Sequence, residues 1–396
     1  MQADSGNSTL TRWTNASLIV LFLAMLWLPT LDTVFHLDHS TFPRENRVLA
    51  RFPEFKPGLE GLKEFIAGLN AYFNDHFGWR NRLIHLHRRL ELGLFPEKNE
   101  PSPGVIVGRN GWFFFKENGT IEHYEGLKQF SPQDLLDWQA LLEHRRDRLA
   151  QLGVKYVFVV APDKQSVYSE QLPVWLKKVR PDTKLDQFFA FMRAHSTVDV
   201  VDLRPVLRAA RQIAPTYYQT DIHWNYFGGF VASQEIIKHL AKQLPGLEPL
   251  SLASFKLENR PVACSSLAAW AEADVNENCA VYLVPGPDLP RLELSAEPPE
   301  YVTSFVNFTR NPRASGSALV LCDSFGDGLA PFLGYHFRKV SYYHCLPLSE
   351  KLIRQEKPDV VISEMLEKTL NIADPKGFDD PADRILKRVL HPAPAQ

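Results

Sequence analysis

The chain has 396 residues, 45% hydrophobic and 12% aromatic, enough to bury one large core and a smaller companion. A formal net charge of −2 excludes a general nucleic-acid binder, in which Lys and Arg would be in clear excess. Four cysteines are too few for a disulfide framework.

Residues 1–12 contain one basic residue, Arg12, and read as a short tail. Residues 13–35 contain ASLIVLFLAMLWLP, uncharged from Ala16 to Leu31, a length that predicts a transmembrane segment. Trp27, Pro29 and Asp32 stand where a signal peptidase needs small residues, which favours an uncleaved signal anchor over a signal peptide. Residues 36–100 form a juxtamembrane region. Leu62, Phe65, Ile66, Leu69, Tyr72 and Phe73 recur at three- and four-residue spacing and predict an amphipathic helix; Leu83 to Leu94 predicts another. Arg80, Arg82, Arg88 and Arg89 read as a solvated face, with an acidic polysaccharide as the alternative partner.

Residues 101–375 read as one α/β domain. Asn110-Gly111 between apolar runs signals a hairpin. Ser131-Pro132-Gln133-Asp134 opens a helix with Leu135, Trp138, Leu142, Leu149 and Leu152 as its buried stripe and Gly153 as its stop. KYVFVVAP, Ser196 to Leu203, ALVLCDS, Lys339 to Tyr343 and DVVIS are short apolar runs separated by helical stretches, the pattern of a mostly parallel sheet between two helical layers. Residues 251–317 interrupt that alternation as an insertion, and 376–396 form a Pro-rich tail. Cys264 and Cys279 could form one bridge in an oxidising compartment, while Cys322 and Cys345 follow strands and read as buried thiols.

The chemistry is concentrated in two stretches. Ser324 follows the strand of ALVLCDSFGDG, where the carboxyl end of a parallel strand opens into a ligand crevice; the plain alternative is a helix N-cap. Asp221 and His223 lie about a hundred residues upstream. A serine hydroxyl needs an imidazole to take its proton, and the imidazole needs a carboxylate to fix its tautomer. On an extended segment an Asp-x-His spacing points both side chains to one side. Lys164, Trp224, Asn225 and Tyr343 are candidate substrate-binding residues at strand ends or beside the pair; His344 and Glu364 read as bystanders. No Cys/His spacing suits zinc, although Asp221 and His223 could ligate a metal, and no cofactor fingerprint is present.

Asp221-Ile222-His223-Trp224 followed by Asp323-Ser324-Phe325 resembles the SGNH-hydrolase-like family of bacterial exopolysaccharide O-acetyltransferases, the AlgJ/AlgX type of alginate acetylation. ENRVLARFP (Glu45 to Pro53) and FNDHFGWRNRL (Phe73 to Leu83) resemble segments that precede the catalytic domain in that family. The likeness is expected from about residue 45 to about residue 370. Its most specific part is the order of the motifs, because ordinary SGNH esterases carry the serine first. Cys322 stands where those esterases have the Gly of Gly-Asp-Ser. The resemblance implies a three-layer α/β/α fold, a catalytic domain in the periplasm, and a membrane-bound O-acyltransferase as acetyl donor. It also implies an acyl-serine on Ser324, with His223 as base and Asp221 as its orienter, and a polysaccharide as acceptor. A periplasmic acetyl-esterase and a catalytically silent polysaccharide-binding subunit remain the alternatives.

Overall fold

The computed structural model describes residues 5–35, 50–55, 57–80, 82–83, 86–87, 90, 104–262, 266–271, 277–295, 305–344 and 347–377, with some side chains inside those ranges also left out. The chain divides into two compact units, one up to residue 96 and a larger one from residue 97.

In the first unit a helix spans Ser5–Phe35 and a second spans Leu59–His76. The second is the amphipathic helix expected from its spacing. Its apolar stripe is not buried, however: Leu62, Ile66, Leu69 and Phe73 are all exposed. The transmembrane anchor expected over 13–35 is not supported as such, because among the described residues no helix is long and apolar enough to cross a membrane. The side chains at 25, 26, 29, 30, 33 and 34 lie outside the described residues. So does most of the helix expected from Leu83 to Leu94, together with Arg88 and Arg89.

The second unit opens with the predicted hairpin. Strands β1 (Val105–Val107) and β2 (Phe113–Phe115) pair antiparallel, and the reversal uses Asn110 and Gly111 at φ 54° and 76°, left-handed values that Asn and Gly tolerate best. A seven-stranded sheet follows. Its strands are β3 (Lys155–Ala161), β4 (Val200–Asp202), β7 (Glu293–Ser295), β8 (Phe305–Arg310), β9 (Ser317–Leu321), β10 (Lys339–Tyr343) and β11 (Val360–Leu366), in the order β4-β3-β11-β9-β10-β8-β7. The run from β4 to β10 is parallel, and β8 and β7 add antiparallel strands at one edge. The sheet is therefore mixed, and residues expected as an insertion supply its edge.

Alternation along the strands decides the layers. Val157, Val159, Val320 and Ile362 pack on one face with Ile236, Ile237 and Leu240 of the helix Tyr226–Ala241. Phe158, Val160, Leu319, Leu321 and Val361 pack on the other, with Trp138, Leu142 and Leu149 of the helix Pro132–Gln151 and Phe188 of the helix Lys184–His195. Both faces being covered is why these strands read as continuous apolar runs. The Pro132–Gln151 helix has the expected Ser131/Asp134 capping box, but Arg145 is buried in its stripe while Leu152 is exposed. The strands β5 (Phe255–Val262) and β6 (Glu277–Pro285) form a separate antiparallel hairpin. Cys264, the side chain of Cys279, and Cys345 lie outside the described residues; Cys322 is a buried thiol, as its position implied.

Candidate active site

β9 ends at Leu321, and the chain turns at Asp323 into a 3₁₀ turn over Ser324–Gly328. The cap of this turn is Asp323, whose Oδ1 accepts the Phe325 N–H at 3.0 Å, so the Ser324 hydroxyl is not consumed in capping. Asp323 Oδ2 accepts the Leu366 N–H at 2.9 Å from the end of β11, which pins the turn to the neighbouring strand.

Asp221 and His223 sit on a loop rather than an extended segment. An antiparallel bridge between Tyr217 and Trp224 closes it, with Tyr218 N–H donating to the His223 carbonyl and Asn225 N–H to the Thr216 carbonyl. The two side chains meet because Asp221 folds forward on its own backbone: its Oδ1 accepts the His223 N–H at 2.9 Å and faces His223 Nδ1 at 2.6 Å. Asp221 Oδ2 accepts the Ser266 N–H at 2.9 Å. Burial pushes the Asp221 carboxyl up, but the hydrogen bonds and charge of His223, with the Ser266 N–H, outweigh that and hold it well below the usual carboxylate range. On the other side of the ring, His223 Nε2 lies 2.8 Å from Ser324 Oγ.

This approach depends on glycines. A Cβ on Gly229, in the first turn of the Tyr226–Ala241 helix, would lie 2.2 Å from the Gly328 carbonyl oxygen, and one on Gly328 would lie 2.2 Å from Trp224 Nε1. The helix start and the nucleophile turn touch backbone to backbone there, which brings His223 within reach of Ser324. Phe325 fills the space beneath, 4.9 Å from the His223 ring and 5.0 Å from Trp224 between centroids.

The expected substrate-binding residues have other tasks. Lys164 is buried, its ammonium donating to the carbonyls of Phe113 and Gln219 at 2.8 and 3.2 Å, and burial lowers its pKa to about 7 against the pull of Asp221 and Glu277. It braces the catalytic loop from behind. Trp224 is buried against Phe325, which rules it out as an open stacking platform. Asn225 caps the Tyr226–Ala241 helix, accepting the Gly228 N–H at 3.0 Å and donating to the Pro215 carbonyl. Tyr343 is buried, its hydroxyl donating to Glu356 at 2.8 Å. His344 faces Asp327 at 3.4 Å.

Two further carboxyl groups support the site: Glu277, which the sequence did not single out, and Glu364, which it read as a bystander. Glu277, at the start of β6, accepts the N–H groups of Gln219 and Thr220 at 2.8 and 3.1 Å and the Thr220 hydroxyl at 3.2 Å. Glu364, fully buried on β11, accepts the Asp323 N–H at 3.2 Å. Burial, with the Asp323 charge beside it, raises Glu364 well above the usual carboxylate range. Burial raises Asp323 as well, but the Phe325 and Leu366 N–H groups on its two oxygens oppose that, so of this pair Asp323 gives up its proton first. Among the described residues, no group of three or more His, Cys, Asp or Glu side chains is placed to hold a metal ion. Asp221, His223 and Ser324 line a cleft of about 510 Å³, together with Tyr218, Tyr226, Val262 and Asp327 among others.

Residues 105–275 match the family described as the SGNH hydrolase-like domain of the acetyltransferase AlgX. Over that stretch the chain is similar to an AlgX-type SGNH hydrolase-like domain. The match includes Asp221 and His223 and stops short of Ser324, which joins them by geometry alone; it also begins after the 45–53 and 73–83 segments. The probable alginate O-acetylase AlgJ of Pseudomonas syringae pv. tomato is 28% identical over 192 residues, 48% of this chain and 46% of that protein. Its counterpart from Pseudomonas putida is 32% identical over 177 residues, 44% of this chain and 42% of that one. The chain thus spans less than half the length of these curated relatives. PatB1 of Bacillus cereus, solved with a sulfonyl adduct, shares the fold with a TM-score of 0.53 at 16% identity, over 70% of this chain and 98% of that one.

Proposed function

We propose that this chain transfers acetyl groups through Ser324 onto hydroxyls of an exopolysaccharide. The observation that carries this reading is the unbroken contact from Asp221 through His223 to Ser324, at 2.6 and 2.8 Å, on the wall of an open cleft. His223 Nε2 takes the hydroxyl proton as Ser324 Oγ attacks the acetyl carbonyl, while Asp221 holds the Nδ1–H and stabilises the imidazolium. The Ser324 N–H, first in the 3₁₀ turn and without a partner inside it, is the available donor to the oxyanion. Collapse of the intermediate expels the donor group, which leaves with the proton from His223. An acceptor hydroxyl then gives its proton to His223 and attacks the acetyl-serine; the ester passes to the sugar and Ser324 regains its proton.

The polysaccharide acceptor rests on the relatives named alginate O-acetylase. A periplasmic setting, with a membrane-bound acyltransferase as donor, belongs to the same reading. Its support is the stretch Leu18 to Phe22 of the helix Ser5–Phe35, uncharged like the whole of 13 to 31 and exposed throughout, an apolar surface that calls for a bilayer or a partner. The full-length chain in detergent, given a chromogenic acetyl ester and a de-O-acetylated alginate oligosaccharide, tests the reaction. Acetylated oligosaccharide is the expected product, absent with Ser324→Ala or His223→Ala. Acetate alone from the wild type would make the chain an esterase, and no turnover at all would make it a silent subunit.

A further inference from the structure

Trp224 is buried, yet the cleft does present aromatic surface. Tyr226, the first residue of its helix, lines the cleft with Ser324 and is 38% exposed, while its neighbours Phe227 and Phe230 enter the core. Its ring stacks on Tyr282 of β6, with 4.6 Å between centroids and 28° between planes. The Arg260 guanidinium from β5 lies over the Tyr282 ring at 5.0 Å and is itself ion-paired to Glu258 at 2.9 Å. Tyr226 is thus an exposed aromatic held in place from below, by a hairpin whose other end fixes the catalytic loop through Glu277.

We propose that the open side of the Tyr226 ring is the acceptor subsite, taking one pyranose ring of the polysaccharide so that a hydroxyl of that ring faces the acetyl group on Ser324. A pyranose has faces of C–H bonds and a rim of hydroxyls, and a tyrosine offers the matching pair, an apolar face and a polar edge. The stack on Tyr282 fixes the Tyr226 side chain before the sugar arrives, so less entropy is lost on binding than with a free surface aromatic. Tyr218, on the same wall, is hydrogen-bonded to Tyr282 and has its hydroxyl pKa raised by burial, so it stays neutral and its oxygen can accept from the rim of the sugar.

This inference rests on the acetyl-transfer reading, and its test separates the two. The full-length chain is first acylated with the small acetyl ester, and the discharge of the adduct is then followed against the concentration of the oligosaccharide probe named above. Tyr226→Leu should raise the half-saturating concentration about tenfold, the size expected for removing an aromatic anchor. Tyr226→Phe and Tyr226→Trp, which keep a face, should stay within about threefold of wild type. Equal behaviour of the Leu and wild-type chains, or equal losses in Leu, Phe and Trp, overturns the subsite while leaving acetyl transfer standing. A wild-type chain that never acylates overturns the transfer reading and the subsite with it.

Discussion

His223 is held at both nitrogens, and the two contacts have different consequences. The Nδ1 contact to Asp221 fixes which nitrogen is free, because a carboxylate accepts only from Nδ1–H, and leaves Nε2 as the base towards Ser324. Asp221→Asn should therefore cut turnover of a small acetyl ester by about 10³- to 10⁴-fold with the fold intact, measured as kcat alongside circular dichroism. The depressed Asp221 also contributes stability, present above the unfolded carboxylate pKa and lost as the pH falls towards its lower folded value. Glu364 runs the other way. Its folded pKa is raised, so between the unfolded value and the folded one the native state binds more protons, and stability falls as pH rises. Glu364→Gln keeps an acceptor for the Asp323 N–H and adds a donor towards the Asp323 carboxylate. The difference in unfolding midpoint between variant and wild type should move in the variant's favour from pH 5 to pH 9. A constant difference would show that Glu364 does not hold a proton in the folded state.

Two elements converge on the catalytic loop. The β5–β6 hairpin delivers Glu277 to the N–H groups of Gln219 and Thr220, and Lys164, following β3, takes the Gln219 carbonyl. Removing one clamp should let Asp221 and His223 drift by a fraction of an ångström to an ångström, enough for a loss of about tenfold or more in kcat for Glu277→Ala, with KM for a small ester changed much less. Lys164 adds a pH signature. With its folded pKa near 7 against an ordinary lysine value of 10.5, the unfolded state binds more protons between those limits, so this residue makes stability rise across that window. Thermal unfolding of Lys164→Met beside wild type should show the balance shifting towards wild type as the pH goes from 7 to 10. What the sequence could reveal of these elements follows from the physics. Strands and helices with one buried face have a periodicity, so β3, β9, β10, β11 and the Pro132–Gln151 helix were legible. Glu277 and the Ser266 N–H act through loops and backbone, with no periodic signal, and Lys164 read as a substrate-binding cation because its burial depends on β2 and the distant Gln219 carbonyl.

For the whole molecule, the three residues that meet, Asp221, His223 and Ser324, were legible because those types stand in a recognisable order. The loop that joins Asp221 to His223 was not, since an Asp that bonds its own backbone two residues on needs no strand. The tyrosine wall was missed for the same reason as Glu277, being assembled from a helix start and a hairpin that the sequence does not place together. If the Ser5–Phe35 helix anchors the chain, full-length protein should stay with the inner-membrane fraction after a high-salt wash, whereas a chain beginning at residue 97 should be released; equal release of both would remove the anchor. The central claim is that Ser324 carries the acetyl group. Mass spectrometry of the full-length chain quenched after a small acetyl ester is added should find one acetyl mass on the peptide containing Cys322 to Phe325. Fragmentation should place it on Ser324, and the mass should be absent from Ser324→Ala. An acetyl group found on Cys322, or none on a folded chain that is turning over ester, would contradict the account.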